Sequence, residues 1–190
     1  MLLIGSFAWM TRLGSTLGET VLAANVVLWQ FFQLGAYALD GFAIAAESLV
    51  GQAFGARNVR LLRRAVQVTG LWCGMLSVAL SAAFWAASGW LIDTFTNVPE
   101  VRALARDYAL WASLTPAAGF LAFLFDGVFV GATQARAMRN AMVTSVAVYL
   151  PLSLAALWLL GNHGVWLAIH VFLLTRALTL WWRYPALERQ

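Results

Sequence analysis

Long apolar stretches alternate with short polar connections along the whole chain. The stretch from Ala65 to Ile92 contains no charged residue. A helix needs ~20 mainly apolar residues to cross a bilayer, whereas barrel strands alternate apolar and polar residues over ~10 positions. The pattern therefore predicts an all-α integral membrane protein with a six-helix transmembrane bundle. The predicted spans are about Met1–Leu13, Thr20–Gly55, Leu61–Ile92, Glu100–Thr133, Asn140–Leu160 and Val165–Trp182.

Several of these spans are unusual in length or contain helix-breaking residues. Only eleven residues precede Arg12 in the first span, which is too short to cross a membrane. We therefore expect a truncated first helix and a chain that is a fragment or split half of a longer protein, with residues 1–190 forming one lobe. Pro116 and Pro151 predict kinks in the fourth and fifth spans. The sequence "GNHG", residues 161–164, predicts the turn between the last two.

Composition and charge agree with a membrane protein and predict its orientation. Hydrophobic residues make up 62% of the chain and charged residues 11%, against about 45–50% and about 25% in soluble domains. Arginines concentrate at alternate ends of the spans, which places those ends and the C-terminus in the cytoplasm by the positive-inside rule. This topology accounts for the net charge of +4, so membrane lipid, and not nucleic acid, is the expected partner. The arginines concerned are Arg57, Arg60, Arg63, Arg64, Arg136, Arg139, Arg183 and Arg189.

The second span carries two carboxylates, Asp40 and Glu47, in an otherwise apolar run. A charge at the bilayer centre costs roughly 2.5–3.5 kcal/mol on insertion scales, so such residues usually face the bundle interior or a water-filled cavity. The two carboxylates are seven residues apart and point from one helix face, about 10 Å apart along the axis. Gln33 lies seven residues before Asp40 and Tyr37 one turn before it. We expect these four residues to form a polar stripe.

The fourth span repeats this arrangement. Asp126 is followed by glycine, as Asp40 is, and both helices run through small residues into a basic loop, which ends in "ARN" at 56–58 and in "MRN" at 138–140. Two carboxylate-bearing helices of the same orientation can face one cavity. Desolvation disfavours the charged form of a carboxyl group there, so the group can take up a proton on one side of the membrane and release it on the other. Thr115 and Phe123 are further candidates to line that cavity. The alternative is that the acids are structural and bonded to a neighbouring helix, Glu47 above all, because it lies close enough to the cytoplasmic end to reach an arginine.

The remaining polar residues do not suggest a metal or cofactor site. His163 and His170 are seven residues apart, but no second helix supplies a Cys or His at metal-ligand spacing. Arg176 lies near the cytoplasmic end of the last span, where its side chain is expected to snorkel to the interface. We therefore expect no metal or cofactor site.

Three segments carry a resemblance to a known family. "ALDGFAIAAESLVGQAFGARN", "FDGVFVGATQARAMRNAM" and "LGNHGVWLAIHVFLLTRALTL" closely resemble the second half of the DinF-like branch of the multidrug and toxic compound extrusion (MATE) family. The resemblance extends from late in the family's seventh helix to the end of its twelfth. It implies a two-lobed secondary antiporter of a bacterial cytoplasmic (inner) membrane that exports cationic or amphipathic compounds against protons or sodium.

The resemblance also implies roles for single residues. Asp126 is similar to the carboxylate that the family's tenth helix contributes to a cation site, and Asp40 and Glu47 match polar positions of the eighth helix. The N-terminal lobe, which carries a coupling carboxylate in this branch, is not expected in this chain. A related flippase for lipid-linked sugars would carry more basic residues in its cavity, where Arg176 is the only candidate. An intramembrane aspartyl protease lacks its glycine-x-glycine-aspartate signature here, and a non-transporting gene fragment remains a further alternative.

Overall fold

The computed structural model describes residues 2–189, and side chains from residue 5 onward. All regular secondary structure in this range is α-helical, which confirms the predicted fold class. The start of the predicted first span at Met1, and the last residue of the predicted lobe, Gln190, lie outside the described residues. The helices are α1 (Leu2–Ser15), α2 (Glu19–Gly55), α3 (Val59–Phe95), α4 (Pro99–Gly131), α5 (Ala135–Leu160) and α6 (Asn162–Leu187).

Five of the described helices, α2 to α6, are long and apolar enough to cross a membrane. Helix α1 has 14 residues, fewer than a span requires. Helices α2 and α3 have 37 residues each, or about 55 Å at 1.5 Å per residue, so both exceed the ~30 Å hydrocarbon core. The buried side chains form two clusters, one around Trp166, Tyr149 and Phe31 and another around Phe129 and Leu180.

The connection between α5 and α6 is shorter than predicted. Gly161 alone separates the two helices, with φ 57° and ψ −133°, a conformation that is essentially restricted to glycine. The predicted "GNHG" turn was therefore wrong, because Asn162 already begins α6. Gly164 serves packing instead: a Cβ built on it would overlap the backbone carbonyl of Ala156 in α5. The sequence alone does not distinguish a glycine needed for a turn from one needed for close approach.

The α2–α3 and α4–α5 connections have the same geometry. Each contains one non-glycine residue with positive φ, Arg57 at 52° and Thr133 at 55°. In each, the amide one residue later donates to the carbonyl five residues before it, at 3.0 and 2.9 Å, which is the Schellman arrangement. The predicted loop ending in "MRN" was wrong, since residues 138–140 lie inside α5. The structural match to residues 55–58 is residues 131–134.

Helices α2, α3 and α4 meet at a proline inside α4. Helix α4 continues across Pro116, and the amide of the following residue, Ala117, donates to Ser81 Oγ of α3 at 3.1 Å. The proline ring lies against Gly35 of α2, where an added Cβ would be 2.9 Å from its Cγ. The second internal proline, Pro151, likewise lies in a helix that continues on both sides.

Ion pairs join the two ends of α3 to other helices. Near its start, Arg63 forms a salt bridge of 2.8 Å with Glu188, just beyond α6. Near its end, Asp93 lies 2.7 Å from Arg106 and 3.3 Å from Arg102, both in α4. Single exposed pairs of this kind contribute little to stability. We therefore infer that they position the chain connections and do not hold the bundle together.

Helices α2 and α4 also meet in a close backbone contact. A Cβ on Gly127 would overlap the Ala43 backbone, and one on Gly131 would overlap the backbone of Glu47. Gly51 faces Gly131, because a Cβ built on Gly51 would lie 3.4 Å from the carbonyl oxygen of Gly131. Residue numbers rise together along both helices, so α2 and α4 run parallel, as predicted for the two carboxylate-bearing helices.

Candidate functional site

A cavity of about 240 Å³ opens between α1, α2, α4 and α6. Five of the seven residues proposed from the sequence lie on its wall: Gln33, Tyr37, Asp40, Phe123 and Asp126. The complete lining is Phe7, Phe32, Gln33, Ala36, Tyr37, Asp40, Ala43, Ala122, Phe123, Asp126, Leu173 and Arg176.

Helical periodicity explains why these residues converge. Gln33, Tyr37 and Asp40 follow the i, i+4, i+7 spacing that places side chains on one helix face. Phe123 and Asp126 are three residues apart on α4, just before the glycine contact that draws α4 against α2. The cavity is thus a widening between two helices that touch at Gly127.

Aromatic side chains form the α1 side of the cavity. The ring of Phe7 packs edge-on against Phe32, with centroids 5.5 Å apart, and against Trp29 at 4.7 Å. Trp29 and Phe32 are themselves stacked at 4.4 Å. The cavity therefore has an apolar aromatic side and a charged side, a combination suited to amphipathic molecules.

The charged side is organised by an ion pair between α4 and α6. Arg176 donates to Asp126 Oδ1 from Nε at 3.0 Å and from Nη2 at 2.8 Å. Its Nη1 lies 3.6 Å from the sulfur of Met142 in α5. The side chain of Arg176 is 10% exposed and that of Asp126 28%. The predicted snorkelling of Arg176 was wrong: α6 packs this side chain inward, where a buried charge requires a partner.

Asp40 is the carboxylate that faces the cavity without such a partner. It is exposed and makes no hydrogen bond or ion pair with any residue between 2 and 189. It lies close enough to Asp126 for the two negative charges to repel each other. With both carboxylates ionised and Arg176 protonated, the three groups carry a formal charge of −1.

The other two residues proposed from the sequence lie outside the cavity. Glu47 is exposed at the level where the α2 backbone meets Gly131, and it forms no ion pair with any described arginine. Glu47 keeps the spacing of the stripe but does not line the cavity, because α2 closes on α4 at that level. Thr115 is buried, and its hydroxyl donates to the Trp111 carbonyl oxygen at 3.1 Å.

The two histidines belong to an aromatic cluster. His163 Nδ1 accepts from Trp111 Nε1 at 2.9 Å, and its ring packs edge-on against Tyr108. His170 is buried, with Nδ1 2.8 Å from the Trp166 carbonyl oxygen. Across the described part of the chain, no group of three or more His, Cys, Asp or Glu is arranged to hold a metal ion.

Sequence reasoning missed a buried polar cluster joining α2 to the start of α6. The side-chain amides of Asn25 and Asn162 bond reciprocally, at 2.7 and 2.9 Å. Trp166 Nε1 also donates to Asn25 Oδ1, at 3.0 Å. Asn25 stands alone in an apolar run, as Asp40 does, and the rule that membrane-embedded polar residues need partners identifies it as noteworthy. The identity of its partner is not contained in local sequence.

Five described helices that are long and apolar enough to cross a membrane, packed beside a carboxylate-lined cavity, define a multi-pass helical membrane protein. The MatE family model matches residues 1–157, which is most of the chain. The protein therefore belongs to the MatE family, whose members are transporters and not enzymes.

Two curated relatives locate the chain within longer proteins. It is 38% identical over 174 residues to "DNA damage-inducible protein F" of Escherichia coli (strain K12), covering 92% of this chain and 38% of that protein. It is 28% identical over 188 residues to "Probable multidrug resistance protein NorM" of Pseudomonas syringae pv. tomato, covering 93% of this chain and 40% of that protein. The chain thus spans about two fifths of the length of these relatives.

Solved structures share the fold. A structure described as "Inward-facing conformation of a multidrug resistance MATE family transporter of the MOP superfamily" superposes with a TM-score of 0.86 at 18% identity, covering 97% of this chain and 44% of that one. A structure described as "Outward-facing conformation of a multidrug resistance MATE family transporter of the MOP superfamily" superposes with a TM-score of 0.76 at 21% identity, covering all of this chain and 44% of that one. The six helices therefore have the arrangement of half a MATE transporter.

Proposed function

We propose that this chain is the C-terminal lobe of a secondary antiporter that exports drugs or other cationic, amphipathic compounds in exchange for inward protons or sodium. The observation that carries the proposal is the cavity, which Asp40 and Asp126 line together with aromatic side chains such as Phe7 and Phe32. Carboxylates inside a membrane protein attract cations, and the aromatic side suits the apolar part of a drug. Membership of the MatE family supports the same function.

The cavity supports a partnership with a second lobe. Tyr37 is 69% exposed, and Asp40 beside it is exposed as well. A polar group left unpaired in lipid costs several kcal/mol, so this face needs a cover. Alternating access in such transporters involves two repeats or bundles that move around a site between them. An N-terminal lobe or complementary half supplies the second wall in our proposal.

The charge of the cavity favours drug export over the flippase alternative. A carrier of lipid-linked sugars was expected to have a basic cavity, and Arg176 is the one described arginine that lines this cavity. Its charge is matched by Asp126, and Asp40 adds a further negative charge. The preference is thus for a cationic cargo or a coupling cation.

The test is efflux of a cationic dye from bacterial membrane vesicles that contain the chain together with a complementary N-terminal lobe. We expect an imposed proton or sodium gradient to drive efflux, and Asp40→Asn to abolish the gradient-dependent part while the protein remains in the membrane. Glu47→Gln is the matched control, since it neutralises a carboxylate of the same helix outside the cavity. Efflux independent of both gradients would contradict the proposal, and so would equal activity of Asp40→Asn and wild type.

We propose a bacterial inner-membrane location with the α2–α3 and α4–α5 connections and the C-terminus in the cytoplasm. The arginine distribution supports this orientation. The test uses single cysteines at Arg60, Arg136 and Asn97 in a Cys73→Ser background. An impermeant thiol reagent added to intact cells should label only the Asn97→Cys variant. Labelling of the other two, with Asn97→Cys protected, would reverse the orientation.

A further inference from the structure

We infer that Arg176 is a tethered cation that competes with the coupling cation for Asp126, so that an incoming cation binds both oxygens of this carboxylate only by displacing the guanidinium from Oδ1. The inference rests on the proposed antiport. It assigns a role to a side chain that the sequence placed at the membrane surface and that the structure places on the cavity wall.

The geometry of the pair carries the first step. Both donated hydrogen bonds end on one oxygen, Asp126 Oδ1, while Oδ2 accepts no hydrogen bond from any described residue. The carboxylate is therefore half occupied, with a free oxygen on a side chain that remains 28% exposed. Arginine–carboxylate pairs are frequently bidentate, with two parallel hydrogen bonds, whereas this pair leaves one carboxylate oxygen without a described donor.

The chemistry of arginine carries the second step. A guanidinium keeps its proton in proteins, so Arg176 cannot leave Asp126 by losing its charge. It can only move, and its long side chain is held at the outer nitrogen by a weak contact with the sulfur of Met142. Any cation that binds Asp126 Oδ1 must therefore replace a charge that is already present.

The charge of the cavity carries the third step. Asp40 and Asp126 provide two negative charges and Arg176 one positive charge, so one monovalent cation brings the sum to zero. Asp40 has no partner among the described residues and is available to either cation. When the cation takes the place of Arg176 at Asp126, the two positive charges therefore balance the two carboxylates. We expect one coupling cation for this lobe.

The experiment compares Arg176→Gln, Asp126→Asn and the double variant by cation dependence of dye efflux and by thermal unfolding of the purified chain. Because Arg176→Gln removes the competing charge, the cation concentration that gives half-maximal efflux should be lower than in wild type by about tenfold or more. A tenfold change corresponds to about 1.4 kcal/mol, and charge-assisted hydrogen bonds are stronger than neutral ones. Arg183→Gln is the control, because it removes an exposed arginine two turns further along α6.

The double variant separates competition from a merely structural pair. Asp126→Asn alone should unfold at lower temperature, since it leaves Arg176 buried without a counter-ion. Adding Arg176→Gln should restore thermal stability but not cation-driven efflux, because Asp126 is then missing as a cation ligand. Recovery of both stability and efflux would overturn the inference, since Asp126 would then serve only to neutralise Arg176.

The two proposals fail in different ways. If wild-type efflux responds to neither gradient, the antiport itself is refuted and this inference with it. If wild-type efflux is cation-driven but Arg176→Gln leaves the half-saturating concentration unchanged, the antiport stands and the competition alone is refuted.

Discussion

The contact between α2 and α4 permits a matched pair of substitutions at the two Asp-Gly dipeptides. Gly127 follows Asp126, and a Cβ there would lie 2.7 Å from the carbonyl carbon of Ala43 and 2.9 Å from its Cα, besides overlapping its oxygen. Gly41 follows Asp40, and a Cβ there would meet nothing within 4 Å. The same change, glycine to alanine, is therefore expected to have opposite effects on stability.

The magnitudes follow from packing and helix propensity. Overpacking costs about 1–3 kcal/mol, and the upper end applies to Gly127→Ala because the obstructing atoms are backbone, which yields only if a helix moves. Alanine gains about 1 kcal/mol over glycine in a helix, so the net destabilisation is about 2 kcal/mol. Gly41→Ala keeps only the gain of about 1 kcal/mol. At roughly 2–4 °C per kcal/mol for a chain of this size, we expect Tm to fall by about 4–8 °C in Gly127→Ala and to rise by about 2–4 °C in Gly41→Ala.

The assay is thermal unfolding of the purified chain in detergent, followed by the fluorescence of its ten tryptophans. The difference between the two variants is more informative than either alone, because both add one methyl group beside a cavity carboxylate. Equal Tm values for the two variants would show that the backbones of α2 and α4 do not touch at Gly127. A rise in Tm for Gly127→Ala would lead to the same conclusion.

Three further predictions concern stability. Asn162→Ala should lower the free energy of unfolding by about 1–3 kcal/mol in thermal melts, because it leaves the buried side-chain nitrogen of Asn25 without its acceptor. Thr133→Gly should raise it by about 1 kcal/mol, since φ 55° is strained for a β-branched residue. The hydrogen bond from Arg63 lowers the pKa of Glu188 below its usual 4.5, so the pair's contribution is complete above that pH and is lost as pH falls through the folded pKa. Glu188→Gln should accordingly flatten the acid side of a plot of Tm against pH.

The sequence alone was sufficient to predict the helices and the residues of α2 that line the cavity. Apolar runs of more than 20 residues specify spans directly, and the i, i+4, i+7 spacing alone places Gln33, Tyr37 and Asp40 on one helix face. Both inferences rest on properties of a single helix, because length, polarity and side-chain direction are local quantities. Where only such quantities matter, the prediction and the structure agree.

The errors arose where a residue's role depends on a distant helix. Arg176 was assigned to the surface from its position along α6, but its environment is set by Asp126, fifty positions earlier in the chain. Asn25 and Asn162 are 137 residues apart, and neither residue's neighbours in sequence reveal the pairing. Glu47 has the right spacing for the stripe and lies outside the cavity, because α4 closes on α2 at that level. The spacing of residues along one helix does not predict the position at which a second helix will contact it.

The contacts around the cavity bear on how this lobe can take part in transport. Backbone contacts at Gly127 and Gly131 join α2 to α4, and the Arg176 pair joins α4 to α6. Sliding α4 along α2 would drive the flanking side chains of α4 into the α2 backbone, at the cost of overpacking. The three helices are therefore expected to move as one body, with the Arg176 side chain as the mobile charge among them. In the antiporter proposed above, alternation of access would then come from motion of this lobe against a second one, as in rigid-body rocking, and not from rearrangement of its own helices.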